Sequence, residues 1–145
     1  MKKVIVILFL GTALWSCSNN SSKEKIDNLN GYWEISQAEL PEGIIKEFKY
    51  SELVDYIKID SSTGFRKKVR PQLDGSFITS DDEEIFEVKL ENDSINLYYS
   101  TPYANWKETI ISSEENELMV LNPDGIIYTY KRFTPYSGNY GQEDQ

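Results

Sequence analysis

From Gly31 onward, apolar and polar residues alternate in short runs rich in Val, Ile, Tyr, Phe and Thr, separated by turn-forming residues. A period of two puts successive side chains on opposite faces of a strand, so these runs read as half-buried β-strands. Phe86, Val88 and Leu90 alternate with Glu87, Lys89 and Glu91, and Ile95, Leu97 and Tyr99 alternate with Asn96, Tyr98 and Ser100. Asn92 and Asp93 between the two runs suit a tight hairpin, since both residues tolerate positive φ. Asp74 with Gly75, and Asn122 to Gly125 ahead of Ile126, Tyr128, Tyr130 and Arg132, mark further hairpins. The pattern predicts an all-β domain of about eight strands, a small antiparallel up-and-down barrel or a sandwich. One stretch departs from it: after Pro41, residues Ile44, Ile45 and Phe48 fall at helical spacing, which predicts a short helix after the first strand.

The first residues follow a different rule. Lys2 and Lys3 precede Val4 to Leu10, a run without a polar residue, and Cys17 follows soon after. The apolar run is shorter than the roughly 20 residues that span a bilayer, so it reads as a cleaved secretory leader. Leu14, Trp15, Ser16 and Cys17 resemble the lipobox of bacterial lipoproteins, with Leu three places before the cysteine and a small residue directly before it, though Trp15 is bulkier than usual. The resemblance implies cleavage before Cys17 and acylation of its thiol and amine; an unmodified thiol after ordinary secretion is the alternative. Ser18 to Lys25 is polar throughout and reads as a flexible tether. The expected organisation is a signal peptide over 1–16, a lipidated cysteine and tether over 17–28, a β-barrel over 29–133 and a disordered tail over 134–145.

The two ends of the β region narrow its architecture. Gly31, Tyr32 and Trp33 at the start of the first strand resemble the Gly-x-Trp signature of the lipocalins, and Arg132 near the end of the last strand takes the place of their closing arginine. The turn that larger lipocalins carry between late strands is absent, and the domain is shorter than theirs. Glycine permits a tight turn into the barrel, the indole plugs its closed end, and a guanidinium can stack on the ring while donating to nearby carbonyls. The resemblance implies a lipocalin-like barrel, with Ile35, Phe86, Val88, Ile95, Leu97, Tyr99, Tyr128 and Tyr130 as candidate pocket-lining residues. Those side chains either fill the barrel or line a pocket for one small apolar ligand, and the pocket volume decides.

Charge removes several functions. The chain is acidic, and loss of Lys2 and Lys3 with the leader leaves 13 basic against 24 acidic side chains, a formal charge of −11. Nucleic acid and anionic headgroups would be repelled. Arg66, Lys67, Lys68 and Arg70 form the one basic cluster. A two-residue turn at Asp74 and Gly75 would pair Arg66 with Glu83, Lys67 with Asp82 and Lys68 with Asp81, and an anion site is the competing reading.

The inventory disfavours an enzyme. The chain has no histidine, hence no triad built on one and no imidazole ligand for zinc. Neither a metal nor a cofactor is expected, and a lone cysteine consumed by lipid leaves none for a disulfide. The expected function is a lipid-anchored envelope protein that binds a small apolar ligand without catalysis. Its membrane partner is reached through Cys17 and is expected to be the outer membrane, with the leaflet undecided. The alternative is an accessory module for a protein or glycan partner at the envelope, presenting Tyr98, Tyr99, Tyr103 and Trp106 around the turn from Ser100 to Asn105.

Overall fold

The computed structural model describes residues 21–136; the leader, Cys17, the start of the tether and the end of the tail lie outside them. A short helix, α1 (Ser22–Leu29), precedes ten strands: β1 (Gly31–Glu39), β2 (Ile45–Glu47), β3 (Val54–Asp60), β4 (Thr63–Pro71), β5 (Phe77–Thr79), β6 (Glu84–Glu91), β7 (Ser94–Ser100), β8 (Asn105–Ser113), β9 (Glu117–Leu121) and β10 (Ile127–Arg132). Eight of them, in the order β1-β3-β4-β6-β7-β8-β9-β10, form one antiparallel sheet that closes on itself because β10 pairs with β1. β2 and β5 are side branches on β1 and β4. Closure removes the free edges that an open sheet would expose. Bulges at Ser36 in β1 and Ile111 in β8 supply local bending that closure requires.

The alternation seen in the sequence sets the core. Trp33, Ile57, Phe86, Ile95, Leu97, Tyr99, Ile110, Leu118, Val120 and Tyr130 point inward and pack as one cluster with Leu29 of α1. The hairpin between β6 and β7 turns at Asn92 and Asp93, both at positive φ, and pairs Phe86 with Tyr99 and Val88 with Leu97.

The start of β1 is the closed end. Trp33 is fully buried there and its indole N–H donates to the Leu29 carbonyl at 2.9 Å. The Arg132 guanidinium lies 3.9 Å from the Trp33 ring centroid and donates to three carbonyls, of Asn30 at 2.6 Å, Glu115 at 2.7 Å and Asn28 at 2.9 Å. Gly31 sits at φ +123°, and a Cβ there would come within 2.6 Å of Arg132 Nη1, so both the conformation and the space select glycine.

Two expectations are corrected. The tether is helical from Ser22, because Ser21 caps the Glu24 amide and Ile26 and Leu29 fall on one face that packs against the core. The Ser113 hydroxyl and the Asn28 amide tie this helix to β8 through the Lys25 and Ser113 carbonyls. After Pro41 there is no helix: a turn from Leu40 to Ile44 reverses the chain, and Ile45–Glu47 pairs with Gln37 to Glu39 as β2, leaving Ile44, Ile45 and Phe48 exposed. Of the expected tail only residues 134–136 lie within the described residues; all three are exposed, with the Tyr136 ring edge-on to Phe133 and its carbonyl beside Gly75.

A second aromatic cluster lies outside the barrel. Tyr32 stacks on Tyr56 and on Phe77, at centroid distances of 4.7 and 4.3 Å, and Phe65 and Phe133 extend the row. It fastens the β4–β5 hairpin to the outer face through Phe77, and Val54 and Val69, paired across β3 and β4, are buried apart from the inner core. Replacing Arg132 by Lys keeps the charge but loses the planar fork that spans three carbonyls while lying on the ring. The expected result is a loss of about 1–3 kcal/mol in urea denaturation, with the barrel retained.

Candidate ligand-binding site

Inside the barrel, β4 carries charge where its neighbours carry apolar groups. Gly64, Arg66 and Lys68 share the inward face, and Gly64 is forced by packing, since a Cβ there would lie 2.7 Å from the Phe86 ring and from the Lys58 carbonyl. The Phe86 ring fills the space at Gly64, and Arg66, two residues on, reaches across the interior. Its Nη2 donates to Asp55 Oδ2 at 2.9 Å and to the Tyr130 hydroxyl at 2.9 Å, and its Nη1 to Glu108 Oε2 at 3.2 Å. The guanidinium carbon lies 5.6 Å from the Tyr130 ring centroid. The Lys68 ammonium sits against Asp55 Oδ1 as a charge contact without an aligned hydrogen bond. Asp55 is 2 % exposed and Arg66 13 %, so a buried charge must be matched at this depth.

Electrostatics follow from that burial. Burial opposes the Arg66 charge, but Asp55 first, with Tyr130, Tyr99 and Glu108, more than offsets it and holds the guanidinium well above its ordinary pKa. Burial raises Glu108 above the usual carboxylate value; Arg66 opposes the shift, and the Glu84 and Asp55 charges add to it. Burial pushes Tyr130 up to about 12 and raises Tyr99 further. The Tyr99 hydroxyl is buried beside Arg66 and Glu108 but aligns a hydrogen bond with neither.

Asp55, Arg66, Glu108 and Tyr130 divide the interior. Below them, toward Trp33, a void of about 10 Å³ among Leu97, Tyr99, Ile110, Leu118 and Val120 has room for no more than one water. Above them a cavity of about 570 Å³ opens between the loops at the far end of the barrel, lined also by Ile35, Lys68, Glu84, Trp106, Asn122 and Tyr128. The lower half is thus filled and the upper half is open.

The candidate pocket-lining residues separate accordingly. Ile35, Tyr128 and Tyr130 line the open cavity, while Leu97 and Tyr99 face the small void with Tyr130. Phe86 and Ile95 are core, and Val88 packs against them half-buried. Arg66, Asp55, Glu108 and Trp106 were not among the candidates. For Arg66 the signal was a charged residue at alternate positions of β4, which reads equally well as a solvated face.

The proposed pairing of the basic cluster is corrected. Arg66 opposes Glu84 in the register, and β5 interposes beyond it, because the loop from Gln72 to Ser76 is longer than a two-residue turn. Lys67 reaches Glu83 at 3.2 Å, but Arg66 and Lys68 turn inward to Asp55. The aromatic set around the β7–β8 turn also divides. Tyr99 is buried and stacks on the half-buried Trp106 at 4.7 Å, Tyr98 donates to Glu91, and Tyr103 is 96 % exposed. Among the described residues no group of His, Cys, Asp or Glu is arranged to hold a metal ion.

A family model described as a lipocalin-like domain matches residues 29–120, more than half of the chain. Among solved structures, a lipocalin-like protein from Bacteroides uniformis is 11 % identical, with 73 % of this chain and 99 % of that one covered and a TM-score of 0.46. No curated protein matches the sequence.

Because Glu108 has a raised folded-state pKa, the native state holds its proton more tightly than the unfolded chain does. Its contribution to stability is complete below the ordinary value of 4.5 and is lost as pH rises through the folded value. Glu108→Gln removes that titration. Urea denaturation between pH 4 and 8 is expected to show the wild type gaining on the variant as pH falls, and a constant difference would refute the assignment.

Proposed function

Because the chain belongs to the lipocalin-like domain family, we propose that it is a lipid-anchored envelope protein whose barrel binds a small molecule without transforming it. The observation that carries this reading is the cavity of about 570 Å³ above a floor of paired charges, a volume within the range that small ligands occupy. Of the ionisable residues in its floor, Asp55 and Glu108 hold Arg66, and Tyr130 accepts from it. An arrangement of this kind positions a ligand; it leaves no activated nucleophile.

The sequence pointed to an apolar ligand. Ile35, Trp106, Tyr128 and Tyr130 supply apolar wall, but Arg66, Lys68, Glu84 and Glu108 line the same space, so a wholly apolar molecule would cover charge without pairing it. The ligand therefore carries a polar group at one end. The leader and the lipobox-like segment before Cys17 support an outer-membrane lipoprotein. α1 leaves the barrel from the closed end, a direction that would let the mouth face away from the anchoring membrane.

A second reading, a partner-binding module, is favoured by the exposure of Ile44 and Tyr103 in turns at the open end and of Ile45 and Phe48 in and just after β2. Mass spectrometry of the full chain extracted from membranes tests both parts of the first reading. Intact mass is expected to show acyl chains that are absent from a Cys17→Ala variant, and native spectra a co-purifying small molecule. A chain without lipid refutes the anchor, and an empty barrel that binds no small probe refutes the ligand.

A further inference from the structure

We propose that the ligand is an amphiphile bound head inward, with an ammonium group in the charged cavity and an apolar chain leaving across the mouth. The inference rests on the reading of the barrel as a small-molecule binder and adds the chemical class. In the floor, Arg66 and Lys68 balance Asp55 and Glu108. Above the floor the balance fails. Glu84 precedes the buried Phe86 by two residues and opposes Arg66, so it faces inward, and it joins no ion pair among the described residues. Asp82 lines the same cavity, likewise without an ion pair among those residues, and the nearby Lys67 is occupied by Glu83.

The space above the floor therefore has an excess of carboxylate, and an anionic head would meet it without a free cation in return. An ammonium group would neutralise it. The walls suit the same charge, because Trp106 and Tyr128 offer aromatic rings, and Arg66 over Tyr130 shows that ring faces in this barrel already receive a cation. The chain bearing that head cannot go deeper, since the void below the floor is about 10 Å³. It must leave through the mouth. There Ile44, in the turn between β1 and β2, and Tyr103, in the turn between β7 and β8, are exposed, and Pro41 beside Gly125 places the first of these turns against the β9–β10 turn. An apolar rim over a charged interior is the arrangement expected for a head-inward amphiphile.

The test uses short alkyl probes that stay monomeric, titrated by calorimetry into the full chain held in a non-ionic detergent, with empty detergent as the blank. Hexylammonium is expected to bind about tenfold more tightly than hexanoate or hexanol, and more tightly than ethylammonium, which lacks the chain. Glu84→Gln, at an exposed position outside the ion pairs of the floor, is expected to keep the barrel folded and to remove most of the advantage of hexylammonium over hexanol. If hexanoate or hexanol binds as well as hexylammonium, or if Glu84→Gln leaves the preference intact, the ammonium assignment fails while the small-molecule reading stands. If none of the probes binds, the inference fails, and the small-molecule reading fails with it only if native spectra also show an empty barrel.

Discussion

A guanidinium buried in the middle of a barrel has to be neutralised there, and the upper half of this protein is arranged around that requirement. Arg66 draws a carboxylate from β3, another from β8 and a hydroxyl from β10, so three separate strands are tied across the interior through one side chain. An eight-stranded barrel of this size is ordinarily just wide enough to be filled by apolar side chains. Here the filling stops at the Arg66 layer, because apolar groups packed directly on it would have to desolvate Lys68, Glu84 and Glu108 as well. The open cavity follows from the charge beneath it.

A second arginine does the opposite work at the other end. Arg132 lies flat on Trp33 and caps the carbonyls left free where α1 meets β1 and where β9 begins, which closes that end against water. The two arginines differ in what they face: backbone carbonyls and an indole at the closed end, ionised side chains in the middle. Between them lies the apolar cluster that holds the domain together without a disulfide. The result is a barrel with one sealed half and one open half, and the binding chemistry is confined to the second.

Much of this was legible in the chain. The period-two runs located the inward residues of β6, β7 and β10, Asn92 and Asp93 located a hairpin, and Gly31, Trp33 and Arg132 located the closed end. What escaped did so for physical reasons. The helix Ser22–Leu29 has two apolar contacts and a Ser21 to Glu24 capping pair, a signal hidden in a stretch that is otherwise wholly polar. Ile44, Ile45 and Phe48 had helical spacing but no core to face, and Gln37 to Glu39 of β1, beyond the stretch that β3 pairs, captured the segment as a strand. In β4 the usual alternation is inverted: Phe65 points outward because Tyr56 covers it, and Arg66 points inward because Asp55, Glu108 and Tyr130 meet it. Those partners are distant in sequence, and no local pattern encodes them.

The claim on which the cavity, its floor and its ligand all depend is that the Arg66 layer is buried charge. The most direct measurement is urea denaturation of Arg66→Met beside the triple variant Arg66→Met, Asp55→Leu, Glu108→Leu. Removing one member of a buried set strands the others, so the single variant is expected to lose about 3–5 kcal/mol, and the apolar triple variant to recover most of it. If Arg66→Met is as stable as the wild type, the layer is solvated and the division of the barrel into a filled and an open half is wrong.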